Sequence, residues 1–169
     1  HGFCNNAAAS SGLGELHTFS NTDFDKTLDL SFKMLWLSLK CEIQYLTEQS
    51  LTASIVNISS NAALRGYANN SIYAASKAAV NSLTLSAAKE LGKKNIRINA
   101  ISPGTILTPG VENYFKQEPN AEDYLKSSIL LNRIGTPEDI GNAVSFLLSE
   151  DSKYIHGQVI SIDGGSSIY

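Results

Sequence analysis

The sequence predicts an α/β layer fold built on a parallel sheet, and three features predict it. Short runs rich in β-branched residues alternate along the chain with longer segments whose apolar residues recur at helical spacing. Small, polar or Gly-Pro residues close each β-branched run. Helical segments lie between successive strands, as the crossovers of a parallel sheet require.

Gly2 to Asn6 is a short apolar run, read as a strand, that feeds the small residues Ala7 to Gly12. Asp23 to about Tyr45 reads as a long helix, capped by Asn21 or Thr22, with apolar residues at Phe24, Leu28, Leu35, Leu39 and Ile43. Ser54 to Ile58 is a strand, ended by Ser59-Ser60-Asn61. Ile72 to Leu91 holds no Gly or Pro and reads as a helix, with Gly92 where a C-terminal cap belongs. Ile96 to Ile101 is a strand closed by Pro103-Gly104. Thr105 to Gly135 reads as irregular. Thr136-Pro137-Glu138-Asp139 then starts a helix that runs to about Leu148: Thr136 caps, Pro137 suits the first turn, and Asp139 stands three after the cap. Gln158 to Ile162 is the last strand, ended by Asp163-Gly164-Gly165. No repeat or linker divides residues 1–169, so a single domain is expected.

With 43% hydrophobic and 17% charged residues the chain can bury a core. A net charge of -3 and the lack of any long Lys/Arg run argue against a nucleic-acid partner. No apolar stretch approaches the roughly 20 residues of a membrane span, so no membrane segment is expected. The N-terminus does not read as a signal peptide. Cys4 and Cys41 have no metal spacing and are expected as buried free thiols, which fits a reducing, cytoplasmic setting. His1, His17 and His156 are scattered, so no metal site is expected.

In an open parallel sheet, ligands bind beyond the carboxyl ends of the strands. Tyr73 and Lys77 stand four apart in a predicted helix and share a face. Free tyrosine, with a pKa of about 10, is a poor base at neutral pH. A neighbouring ammonium favours the phenolate and lowers that pKa, making tyrosine a usable general acid/base. Ser60, just past a strand, can hold a carbonyl oxygen against the phenol. A Tyr and a Lys at this spacing are common by accident, and Ser60 alone reads as a turn serine; the combination carries the weight.

These segments, in their order, resemble the short-chain dehydrogenases/reductases. Asn5-Asn6-Ala7-Ala8 is similar to the Asn-Asn-Ala-Gly motif of that family, and Asn57-Ile58-Ser59-Ser60 to the strand end bearing its catalytic serine. Tyr73-Ala74-Ala75-Ser76-Lys77 matches Tyr-x-x-x-Lys, and Asn95 to Gly104 resembles the strand leading to the Pro-Gly turn. Arg133 to Asp139 and Gly157 to Gly165 resemble the C-terminal pattern. The resemblance implies a Rossmann-like, doubly wound parallel sheet, of which the chain holds the C-terminal two thirds. It implies a carbonyl/alcohol oxidoreductase using NAD or NADP. Tyr73 is then the acid/base, Lys77 lowers its pKa and holds the nicotinamide ribose, and Ser60 orients the substrate. Pro103, Gly104 and Ile106 line the nicotinamide, Thr108 bonds its carboxamide, and Asn6, Ala7 and Ala8 lie along the cofactor. A small-molecule carbonyl or alcohol substrate and a homodimer or homotetramer follow from the same resemblance.

The chain departs from the pattern in three places. Ser31 stands where the family usually has an asparagine supporting a proton relay. Ala8 replaces the usual glycine, adding a methyl group where the backbone nears a ligand. The Gly-rich turn that cradles a pyrophosphate has no counterpart, because Ser11-Gly12-Leu13-Gly14 follows what would be the fourth strand. The expectation is a longer protein of which this is a part. The competing reading is a truncated, non-catalytic relative that serves as an oligomerising or interaction protein.

Overall fold

The computed structural model describes residues 1–168. Four strands, β1 (Gly2–Asn5), β2 (Ala53–Ile58), β3 (Ile96–Pro103) and β4 (Val159–Ile162), form one parallel sheet in the order β1-β2-β3-β4. Asn5 pairs with Asn57, Ile58 with Ile101, and Pro103 with Ile162, so the carboxyl ends lie side by side. Strand β2 is buried along its whole length, as expected of a strand covered on both faces.

Side chains alternate across each strand, so consecutive apolar residues serve opposite layers. Ile55, Ile96 and Ile98 pack against Leu39, Leu46, Ala87, Ala88 and Leu91 of the two long helices, α2 (Met34–Glu48) and α3 (Ser71–Leu91). Val56, Ile58 and Ile101 pack on the other face against Leu147, Ile140 and Val144 of α6 (Pro137–Leu148). Helices thus cover both faces. Each fully buried Leu or Ile contributes about 1.5–3 kcal/mol of transfer free energy, and Leu46, Ile55, Leu91, Ile98 and Ile101 all lie at 0–1% exposure.

The long helix expected over Asp23–Tyr45 is longer and is interrupted. It begins as α1 (Asn21–Leu28), passes through a five-residue π turn (Asp29–Lys33) and continues as α2. Its cap is Ser20, not Asn21 or Thr22. The Ser20 hydroxyl accepts from the Asp23 amide while the Asp23 carboxylate accepts from the Ser20 amide, a reciprocal box that places both expected caps inside the first turn. Gly92 keeps a right-handed φ of -55°. The left-handed residue is Asn95 (φ 56°), because a 3-10 turn over Gly92–Lys94 extends the helix end.

Thr105 to Gly135 is not irregular throughout. It contains α4 (Pro109–Gln117) and α5 (Ala121–Ser127). Thr108-Pro109 starts α4 by the same cap-plus-proline device that Thr136-Pro137 uses for α6, where the cap hydroxyl pairs with Asp139. Cys4 and Cys41 are exposed rather than buried: Cys4 lies on the edge strand β1, and Cys41 on the side of α2 that faces away from the sheet. Among the described residues, no helix is long and apolar enough to cross a membrane.

At the far end of α6, Arg97 of β3 satisfies the carbonyls that a helix C-terminus leaves open. Its guanidinium donates to the carbonyls of Leu147 (3.0 Å), Ser149 (3.0 Å) and Ile155 (3.2 Å).

Candidate active site

The segments that follow β1, β2 and β3 converge at the carboxyl edge of the sheet around a cleft of about 840 Å³. Asn6, Ala8, Ser60, Tyr73, Lys77, Pro103, Gly104, Ile106 and Thr108 all line it. Ala7, between two residues that do, does not. Four further lining residues, Pro137, Ile140, Gly141 and Val144, form one stripe at helical spacing on the start of α6. Their spacing marks one helix face in the sequence, but only the packing of α6 over β2 and β3 assigns that face to the cleft.

Helix α3 positions Tyr73 and Lys77 one turn apart. Lys77 is 1% exposed. Its ammonium donates to the Ile58 carbonyl at 2.9 Å and stands 5.7 Å from the centre of the Tyr73 ring. The Ser59 hydroxyl donates to the Lys77 carbonyl at 3.1 Å, tying the helix to the end of β2. Ser60 is extended (φ -162°) and its hydroxyl accepts from the Ala62 amide at 3.2 Å.

Burial pushes the Tyr73 phenol above its ordinary pKa. A hydrogen-bonding contribution from the Ser60 hydroxyl offsets part of this, and Tyr67 adds slightly to it. Burial also lowers Lys77 to about 8. The expected lowering of the tyrosine by the lysine is therefore corrected. The ammonium stands 5.7 Å from the ring centre, and desolvation of the phenol sets the direction of the shift. Tyr73 is a neutral phenol throughout the neutral range.

The wall opposite α3 is held by close backbone approaches. A Cβ on Gly104 would lie 2.8 Å from the Cα of Asp163, so only glycine lets β3 and the end of β4 come together there. Gly135 donates to the Thr105 carbonyl at 3.0 Å and accepts from the Leu107 amide at 2.8 Å, which pins Ile106 between them. The Thr108 hydroxyl accepts from the Val111 amide as the cap of α4. A second cavity of about 440 Å³ lies behind Ile106, beside Arg133, Asp139 and Gly164; of the predicted site residues it touches Ile106 alone. The chemistry-bearing side chains sit in the larger cleft.

Of the departures from the family pattern, Ala8 lines the cleft, whereas Ser31 is fully buried in the π turn and donates its hydroxyl to the Ala9 carbonyl.

A family model described as enoyl-(acyl carrier protein) reductase matches residues 1–167. Levodione reductase of Leifsonia aquatica is 39% identical over 171 residues, covering 98% of this chain and 64% of that protein. The 3-oxoacyl-(acyl-carrier-protein) reductase of Thermotoga maritima is 40% identical over 143 residues, covering 85% of this chain and 56% of that one. A solved structure described as ElxO with NADP bound superposes with a TM-score of 0.93 at 33% identity, over 99% of this chain and 67% of that one. The chain thus spans less than two thirds of the length of these two curated relatives.

Proposed function

This chain belongs to the short-chain dehydrogenase/reductase family, and on that premise we propose that it interconverts a carbonyl compound and a secondary alcohol with NAD or NADP, Tyr73 serving as the acid/base. One observation carries the proposal: Ser60, Tyr73 and Lys77, from two different elements, line one cleft with Pro103, Gly104, Ile106 and Thr108. The donor set of the cleft fits a nicotinamide nucleotide. Lys77 is a buried ammonium with three hydrogens and one recorded acceptor, the Ile58 carbonyl, so it has donors to offer a ribose diol.

A nucleotide held there would supply the hydride to the carbonyl carbon, or accept it from the alcohol carbon. The protein residues manage the oxygen. The Ser60 hydroxyl donates to the carbonyl oxygen and orients it. Tyr73 gives that oxygen its proton as the hydride arrives, and the Lys77 ammonium stabilises the phenolate left behind. In the reverse direction Tyr73 takes the alcohol proton, which requires that it first be deprotonated; its raised pKa favours reduction near neutral pH. Pro103, Gly104 and Ile106 offer an apolar wall to the nicotinamide, Thr108 a hydroxyl to its carboxamide, and Asn6 and Ala8 the flank along the cofactor.

The test is Tyr73→Phe, assayed by reduction of a ketone panel that includes levodione. Turnover falls by about 10²-fold or more, while NADPH or NADH binding stays near wild type. Full activity in the variant removes the assignment.

Two further parts of the proposal concern setting. Leu30, Met34, Leu37, Cys41 and Tyr45 recur every three or four residues along the outer face of the long helix, and all are exposed. Such a stripe suits packing against a second copy of the chain, as a homodimer or half of a homotetramer. The two exposed free thiols suit a reducing, cytoplasmic compartment.

A further inference from the structure

The cleft wall at Asn6 and Ala8 belongs to a loop with little packing of its own: residues 6–10 are exposed. It is held instead by a polar ladder. Asp23, Thr27 and Ser31 stand at successive turns of the helix that runs through the π segment. Asp23 Oδ1 accepts from the Ser11 hydroxyl at 3.0 Å. Thr27 Oγ1 accepts from the Ser11 amide at 2.9 Å and donates to the Ser11 carbonyl at 3.3 Å. The Ser31 hydroxyl donates to the Ala9 carbonyl. Thr27 and Ser31 are both 0% exposed, so their hydroxyls have these loop groups as partners in place of water.

The same loop is tied on its other side to the helix that carries the tyrosine. The Ser10 hydroxyl donates to Asn70 Oδ1 at 3.1 Å, and the Gly14 amide donates to the Asn69 carbonyl at 2.9 Å. Asn70 is the cap position of α3, three residues before Tyr73. One short loop therefore spans from the helix bearing the ladder to the helix bearing Tyr73, and its preceding residues line the cleft.

We propose that Thr27 and Ser31, with Asp23, are positioning residues that hold the Ala9–Ser11 loop and thereby set the nucleotide-facing wall at Asn6 and Ala8 relative to Tyr73. The proposal rests on the oxidoreductase reading above. The physical reason is the steep dependence of transfer reactions on geometry: a displacement of about 1 Å, far from the chemistry, can cost 10²-fold in rate. A loop without apolar anchors takes its position from hydrogen bonds, and a half-satisfied buried network is worse than none.

The test compares Thr27→Val, which keeps the shape and removes both Ser11 bonds, with Thr27→Ser, which keeps the hydroxyl. The readouts are NADPH and NADH binding, kcat and KM for the best ketone of the panel, and the melting temperature. Thr27→Val is expected to weaken nucleotide binding and to lower kcat, together by about tenfold or more, with Thr27→Ser restoring both to within about twofold. Ser31→Ala, which removes a single bond, is expected to move both constants in the same direction by less, and it carries the test if Thr27→Val does not fold. A lower melting temperature with nucleotide binding and kcat unchanged overturns the proposal, because that is what a merely structural ladder gives. An inactive Tyr73→Phe beside an unaffected Thr27→Val overturns the ladder alone; an active Tyr73→Phe overturns the reading beneath it.

Discussion

At the scale of single residues, Lys77 is costly to keep charged. It is 1% exposed and lowered by burial to about 8, against about 10.4 for a free lysine. Between these values the unfolded chain binds more protons than the folded one, so stability rises with pH across that window; below about pH 8 the full penalty applies. That penalty is on the order of 3 kcal/mol, and orphaning the Ile58 carbonyl costs about 1–3 kcal/mol. The balance favours removal, so Lys77→Met should leave melting at pH 7 unchanged or raise it by a few degrees, while turnover is lost. A fall of many degrees would mean that the lysine holds the fold. In the wild type, ketone reduction should decline as pH rises through about 8 and Lys77 loses its charge, read from kcat/KM across pH 6–10. The Tyr73–Lys77 pair is legible in the sequence because helical spacing is a local property. The direction of the tyrosine shift is not, because desolvation depends on what the rest of the chain lays over α3.

At the scale of elements, boundaries follow local chemistry and errors follow competition between local signals. Ser20 displaces Asn21 and Thr22 as a cap because Asp23 completes its reciprocal box. The start of α4 repeats a signal used correctly for α6, but charged and aromatic residues after Thr108 mask the periodicity. The C-terminus of α6 depends on Arg97, whose carbonyl partners are 50 to 58 residues away in sequence and have no local signature. Other donors serve all three carbonyls, the Ser54 and Ser152 hydroxyls at Leu147, the Ser152 hydroxyl at Ser149 and the Asn99 side-chain amide at Ile155, so Arg97→Met thins the capping without stranding any of them. Charge-assisted bonds of this kind are worth about 1.5–3 kcal/mol each when buried. Because Arg97 is only partly buried and each carbonyl keeps another donor, a loss of about 1 kcal/mol is expected. A urea titration should show a lower midpoint with unchanged slope; an unchanged midpoint would assign the capping to water and the serines.

At the scale of the whole molecule, the parallel sheet is legible because alternation of strand and helix admits few other layers. The faces presented to a partner are not, since an outer apolar stripe and a core stripe have the same period. Leu37 lies on the exposed stripe, away from both cores. Leu37→Glu should therefore shift the protein toward a monomer in light scattering with little change in its circular dichroism. An unaltered mass would place any assembly on another face.

The contact of Gly104 with Asp163 carries a temporal consequence. The cleft draws residues from Cys4 through Val144, and Asp163, which seats its Pro-Gly wall against β4, stands 59 residues after Gly104. These contacts are non-local, and non-local closure is the slow part of folding. During synthesis that wall cannot seat until Asp163 has emerged. A nascent chain that stops short of Asp163 therefore lacks the finished wall, so the cleft is completed in one late step rather than accumulating as the chain emerges.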